Sequence, residues 1–74
     1  MRAYLIEMRK KRKESQQNVA DALGITRQYY QLIEQGMRQK RMDILLASKL
    51  ADHFGVTIHE IVQQEERMNL ERRQ

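Results

Sequence analysis

Three isolated glycines, at positions 24, 36 and 55 of a chain without proline, constrain this fold more than any other feature of the sequence. Each stands where an apolar pattern of helical period stops, and no segment alternates with period two. Glycine adopts the left-handed backbone that closes a helix at little steric cost. Two of the closures are nearly the same, since "ADALGIT" at 20–26 returns as "ADHFGVT" at 51–57. In each, a glycine ends one helix, the next apolar residue packs back on it, and a threonine caps the following helix. A repeat array needs three or more units to bury a continuous core. The two copies therefore mean two tight corners.

The spacing predicts an all-α chain of five short helices. The first covers roughly residues 2–13, with Leu5, Met8 and Arg9 on one face. Ser15 caps a second at 16–23, whose inward residues are Val19, Ala20 and Leu23. Thr26 caps a third at 27–35, with Tyr30 and Ile33 on one side. A loop at 37–42 holds three cations and no apolar residue except Met37 and Met42. Asp43 caps a fourth helix at 44–54 whose inward residues are Ile44, Ala47, Leu50, Ala51 and Phe54. Thr57, with Glu60 three positions on, forms a capping box for a fifth that holds Ile58, Ile61 and Val62.

Seventy-four residues allow one domain and no catalytic cleft beside a separate core. The absence of cysteine excludes disulfides, thiol nucleophiles and thiolate metal sites. No apolar run approaches the roughly 20 residues of a membrane span, and no signal peptide is evident, so a cytoplasmic protein is expected. His53 and His59 lie six apart, away from the spacing of three or four that aligns two ligands on a helix, so no metal and no cofactor is expected. Ser15 and Ser48 read as a cap and a packing residue, and an enzyme is not expected.

The formal charge is +4, and residues 1–41 carry all of the basic excess. A basic half suits a polyanionic partner. "RKKRK" at 9–13 suits equally a solvated helix end, because cations favour a helix C-terminus. The residues after the two threonines differ more usefully. Thr26 is followed by Arg27, Gln28, Tyr29 and Gln31, a polar face without carboxylates; Thr57 is followed by apolar and acidic residues. Arginine and glutamine form bidentate hydrogen bonds with guanine and adenine edges, whereas an acidic face is repelled by phosphate. Only the first corner is suited to DNA.

With these residues in place, "QQNVADALGITRQYYQLIEQG" at 16–36 resembles the helix-turn-helix of the phage repressor and Cro family, also called the XRE family. The match rests on a polar Gln opening the second helix, then Ala20, Gly24, Ile25, Thr26, Ile33, Glu34 and Gly36, and extends through "LADHFGVTIHEIV". The resemblance implies a compact five-helix lambda-repressor-like DNA-binding domain, with the helix-turn-helix at helices 2 and 3. That domain is expected over 1–66, followed by a polar tail at 67–74 that extends the last helix or frays.

The resemblance also implies roles. The third helix would enter the major groove, with Arg27, Gln28 and Gln31 at base edges. Tyr29 would touch a thymine methyl, donate to a phosphate, or pack on the domain surface. Gln16, Gln17 and Thr26 would meet phosphate near helix N-termini, and Arg38, Lys40 and Arg41 would add backbone contacts. Arg9 would form a structural ion pair with Glu34. Ile61, Val62 and Met68 would form a dimer interface through the fifth helix. The expected function is sequence-specific regulation of transcription, as a repressor on a pseudo-palindromic operator of double-stranded DNA, bound as a homodimer. The alternative is an antitoxin or protein-interaction module of the same fold with a protein partner. This chain departs from the family pattern at Glu14, where leucine is usual, at Leu32, where a polar residue is common, and in a longer loop after Gly36 that lacks the usual proline.

Overall fold

The computed structural model describes residues 1–72. Among them five helices follow one another: α1 Ala3–Lys11, α2 Gln16–Leu23, α3 Arg27–Gln35, α4 Ile44–Phe54 and α5 Ile58–Arg72. The chain divides into two compact units, Met1–Arg41 with α1 to α3, and the residues from Met42 onward with α4 and α5.

Four helix starts are fixed by side chains. Ser15 Oγ accepts from the Asn18 amide at 3.0 Å, Thr26 Oγ1 from Tyr29 at 3.1 Å, Asp43 Oδ1 from Leu46 at 2.9 Å and Thr57 Oγ1 from Glu60 at 3.1 Å. Each satisfies one of the amides that a helix start leaves without an intrahelical partner. The paired corners are closed alike. Gly24 and Gly55 take φ of 73° and 69°, and the next residues, Ile25 and Val56, each donate at 3.0 Å to the carbonyls of Ala20 and Ala51. That is a 6→1 closure, and it explains why the two sequences look alike.

The first unit is organised around α3, against which α1 and α2 both pack. Leu5, Val19, Ala20, Leu23, Tyr30 and Ile33 are buried, and full burial of a side chain the size of leucine contributes about 1.5–3 kcal/mol. The first helix is shorter than its pattern suggests, because Lys13 turns to φ 55° and the Glu14 amide donates back to Arg9 O at 3.1 Å. Tyr4 is buried beside Leu5 in sequence, while Met8 is only half-buried.

In the second unit α4 packs on α5. Leu46, Ala47, Leu50, Ala51 and Phe54 are buried, but Ile44, expected inward, is 64% exposed. It sits in the first turn at the edge of the stripe, so Leu46 fills the inward position. Among the described side chains of α5, Ile61, Glu65 and Met68 are buried, spaced four and three apart, whereas Ile58 and Val62 are each 38% exposed. The helix runs on through most of the expected tail; residues 73 and 74 of that tail lie outside the described residues.

Candidate nucleic-acid interface

The α3 sequence divides cleanly by direction. Tyr30, Ile33 and Glu34 are buried, while Arg27 and Gln28 are exposed and Gln31 is half-buried one turn further on. Positions 27, 28 and 31 lie on one side of a helix of 3.6 residues per turn. The turn Gly24 to Thr26 that precedes them is fixed at both ends, by the glycine closure and the threonine cap. Three side chains able to read base edges thus sit on a rigid element.

The only acid of α3 is buried and does not reach the surface of that face. Glu34 is 2% exposed and receives two hydrogen bonds from Arg9, Nε to Oε2 at 2.7 Å and Nη2 to Oε1 at 3.2 Å. Gln16 Nε2 donates a third, to Oε1 at 3.0 Å. Burial alone would raise the Glu34 carboxyl, but the bonds from Arg9, then Gln16, outweigh it and hold the group below the usual carboxylate value. The same pairing raises the Arg9 guanidinium. Beside them burial, then the Glu34 carboxylate, pushes the Tyr30 hydroxyl far above its ordinary value; that oxygen has no hydrogen-bond partner of good geometry. The charge of Glu34 is neutralised internally, so α3 presents no anion to a phosphate-lined groove.

This cluster engages one of the residues expected at phosphate. Gln16 was expected at phosphate, yet its amide nitrogen is turned to Glu34, because α2 starts directly over that carboxylate. Gln17 is exposed, with Nε2 donating to Asp21 Oδ1 at 2.8 Å along its own helix. The "RKKRK" stretch is likewise partly committed. Arg9 belongs to Glu34, Arg12 pairs with Glu14 at 2.6 Å, and Arg9, Lys10 and Lys11 fill the last turn of α1, where cations are favoured.

The loop after α3 is built on a residue that sequence reasoning missed. Arg2 counts towards the basic N-terminus by composition, but it is fully buried. Its Nη1 donates to Ile33 O at 2.7 Å and Arg38 O at 3.0 Å, its Nη2 to Gln39 O, and its backbone amide to Glu34 O at 2.7 Å. A cation thus caps the carbonyl end of α3 and pins the loop that follows. Nothing in a lone Arg ahead of the first helix signals this. Gln39 takes a left-handed backbone, φ 57°, and its Nε2 donates to Tyr29 Oη at 2.7 Å. Arg38, Lys40 and Arg41 are exposed around it.

The three residues of the expected dimer stripe differ in exposure. Ile61 is fully buried and Met68 is 8% exposed, so both side chains are spent inside the fold, and only Val62 remains on the surface. Among the described residues no three His, Cys, Asp or Glu side chains come together in a metal-binding group, and no helix is long and apolar enough to cross a membrane.

Two helices joined by a glycine corner, the second with Arg27 and Gln28 exposed and Gln31 half-buried on one side, define a helix-turn-helix domain. The sequence model of that family, described as Helix-turn-helix, matches residues 5–61, and the chain belongs to the Cro/C1-type helix-turn-helix, or XRE, family. It is a DNA-binding transcriptional regulator of that type. No curated protein and no solved structure gives a significant match to it.

Proposed function

We propose that the protein is a sequence-specific repressor that occupies a pseudo-palindromic operator as a homodimer. The observation that carries this reading is the division of α3: Arg27 and Gln28 exposed with Gln31 half-buried beside them, and its single carboxylate buried against Arg9. In the major groove Arg27 would pair with guanine O6 and N7, and Gln28 and Gln31 with adenine N6 and N7. Arg38, Lys40 and Arg41 would neutralise phosphates and set the register, contributing affinity without sequence information. Thr26 keeps its hydroxyl proton for a phosphate while its oxygen caps α3, and Gln17 lies at the positive end of the α2 dipole.

The second subunit would meet two of the exposed apolar residues of α5, Ile58 and Val62, which are one turn apart. A pseudo-palindromic operator read by two such helices in successive major grooves has half-sites about 34–36 Å apart, one turn of B-DNA. Selection of binding sites from a random pool tests the whole reading. The expected result is an enriched site with two inverted halves, bound by a species of twice the monomer mass. Recovery of no common sequence, or a monomeric mass both alone and on DNA, would overturn it.

A further inference from the structure

We infer that Gln39, with its backbone pinned by Arg2, presets Tyr29 as an outward hydrogen-bond donor to an acceptor atom on DNA; this rests on the regulator reading above. Tyr29 occupies the first turn of α3, half-buried, between Gln28 on the outward face and the buried Tyr30. A phenol oxygen can accept and donate at once. Gln39 Nε2 donates to it at 2.7 Å, which uses the oxygen as acceptor and leaves the O–H proton directed elsewhere. A tyrosine so held is a donor with a fixed direction, suited to thymine O4, guanine O6 or N7, or a phosphate oxygen. It is not a flat apolar surface for a thymine methyl.

The position of Gln39 is itself constrained. Its left-handed backbone is unusual for a residue with a Cβ. That conformation is held by the Arg2 guanidinium, which binds the carbonyls of Arg38 and Gln39 while its first nitrogen also binds Ile33 at the end of α3. One buried cation therefore fixes both ends of the arrangement, the carbonyl terminus of the recognition helix and the loop residue that grips Tyr29. Gln39 acts here as a positioning residue. Without it the hydroxyl would rotate freely, and its proton would not be aimed before DNA arrives.

The test is titration of a selected DNA site with the unchanged protein, Tyr29→Phe, Gln39→Met and the double variant. Both substituted side chains are only half-buried, and thermal melting within a few degrees of the unchanged protein establishes an intact fold. Tyr29→Phe is expected to bind about tenfold more weakly, the loss of one hydrogen bond to DNA. Gln39→Met loses part of that, and adding it to Tyr29→Phe costs nothing further, because the aimed proton is already gone. Exchanging each base pair in turn identifies the acceptor. A base-edge acceptor gives a loss of discrimination at one position, and a phosphate acceptor gives an equal loss on every sequence that a methylphosphonate at one site reproduces. Either supports the inference. Unchanged binding by Tyr29→Phe, or additive losses in the double variant, overturns it alone. Failure of the unchanged protein to bind any DNA overturns the regulator reading and this inference together.

Discussion

Replacing Arg9 by Met should be among the most damaging single changes in the first unit, and its cost should depend on pH. The Glu34 side chain is 3% exposed and that of Arg9 15%, so the substitution strands a buried carboxylate with only the Gln16 amide still donating to it. Breaking a buried pair from one side costs about 3–5 kcal/mol. The partial exposure of Arg9 and the remaining Gln16 bond place this case at the low end, about 3 kcal/mol, which for a chain of this size lowers Tm by about 15 °C. Glu34→Gln should cost less, about 1–2 kcal/mol, because Arg9 keeps an acceptor and reaches water. The double variant Arg9→Met with Glu34→Leu should fall within about 1 kcal/mol of the unchanged protein, since no charge is then left buried. The folded carboxyl titrates below its unfolded value near 4.3, so its contribution is complete above that pH and lost as pH falls through the folded value. The assay is urea unfolding followed by circular dichroism at pH 7, 5, 4 and 3. The Arg9→Met penalty should be largest at neutral pH and shrink steadily as pH falls and the stranded carboxyl is protonated. A penalty below about 1 kcal/mol at pH 7, or one that is constant across this range, refutes the reasoning.

Other consequences follow from the corners, the buried cation and the loop. Gly24→Ala and Gly55→Ala should each cost about 1–2 kcal/mol and by similar amounts, because an added Cβ meets nothing within 4 Å at either site and the strain is that of positive φ alone. Arg2→Met should lower stability by about 2–3 kcal/mol in a thermal melt, since the carbonyls of Ile33, Arg38 and Gln39 lose their common donor. Lys13→Gly, at φ 55°, should stabilise by up to about 1 kcal/mol on the same assay. Leu46→Ala should cost about 2–3 kcal/mol, whereas Ile44→Ser should stay within about 0.5 kcal/mol, a contrast that follows from their burial.

The parts of this fold that local chemistry determines were legible in the sequence. The bounds of α2, α3 and α4 could be read from Ser15, Thr26 and Asp43 at their starts and from glycines at their ends, because a cap and a left-handed closure act within a few residues. The Arg9–Glu34 pairing followed from the resemblance, not from charge spacing. Four things could not be read. The run Ile44, Leu45, Leu46 carries no phase, since any of three consecutive apolar residues can begin the inward stripe. The α5 stripe passes through Glu65, a charged residue that periodicity alone does not place inside. Arg2 contributes to composition as one surface cation among several, while its partners lie 31 to 37 positions away. Contacts at that distance leave no local trace. Gln39 was hidden for the same reason, because its importance comes from where Arg2 and Tyr29 hold it.

If α3 reads sequence while the loop after it only grips the backbone, salt-dependent titration of substituted proteins on a selected site separates the two. Arg27→Ala or Gln28→Ala should relax discrimination at one or two base pairs and cost about 1–3 kcal/mol on the selected site. Lys40→Ala or Arg38→Ala should weaken binding to all sequences about equally and make the dependence of log affinity on log salt shallower by about one unit. The same loss profile for both groups, with discrimination intact when Arg27 and Gln28 are gone, would contradict the account.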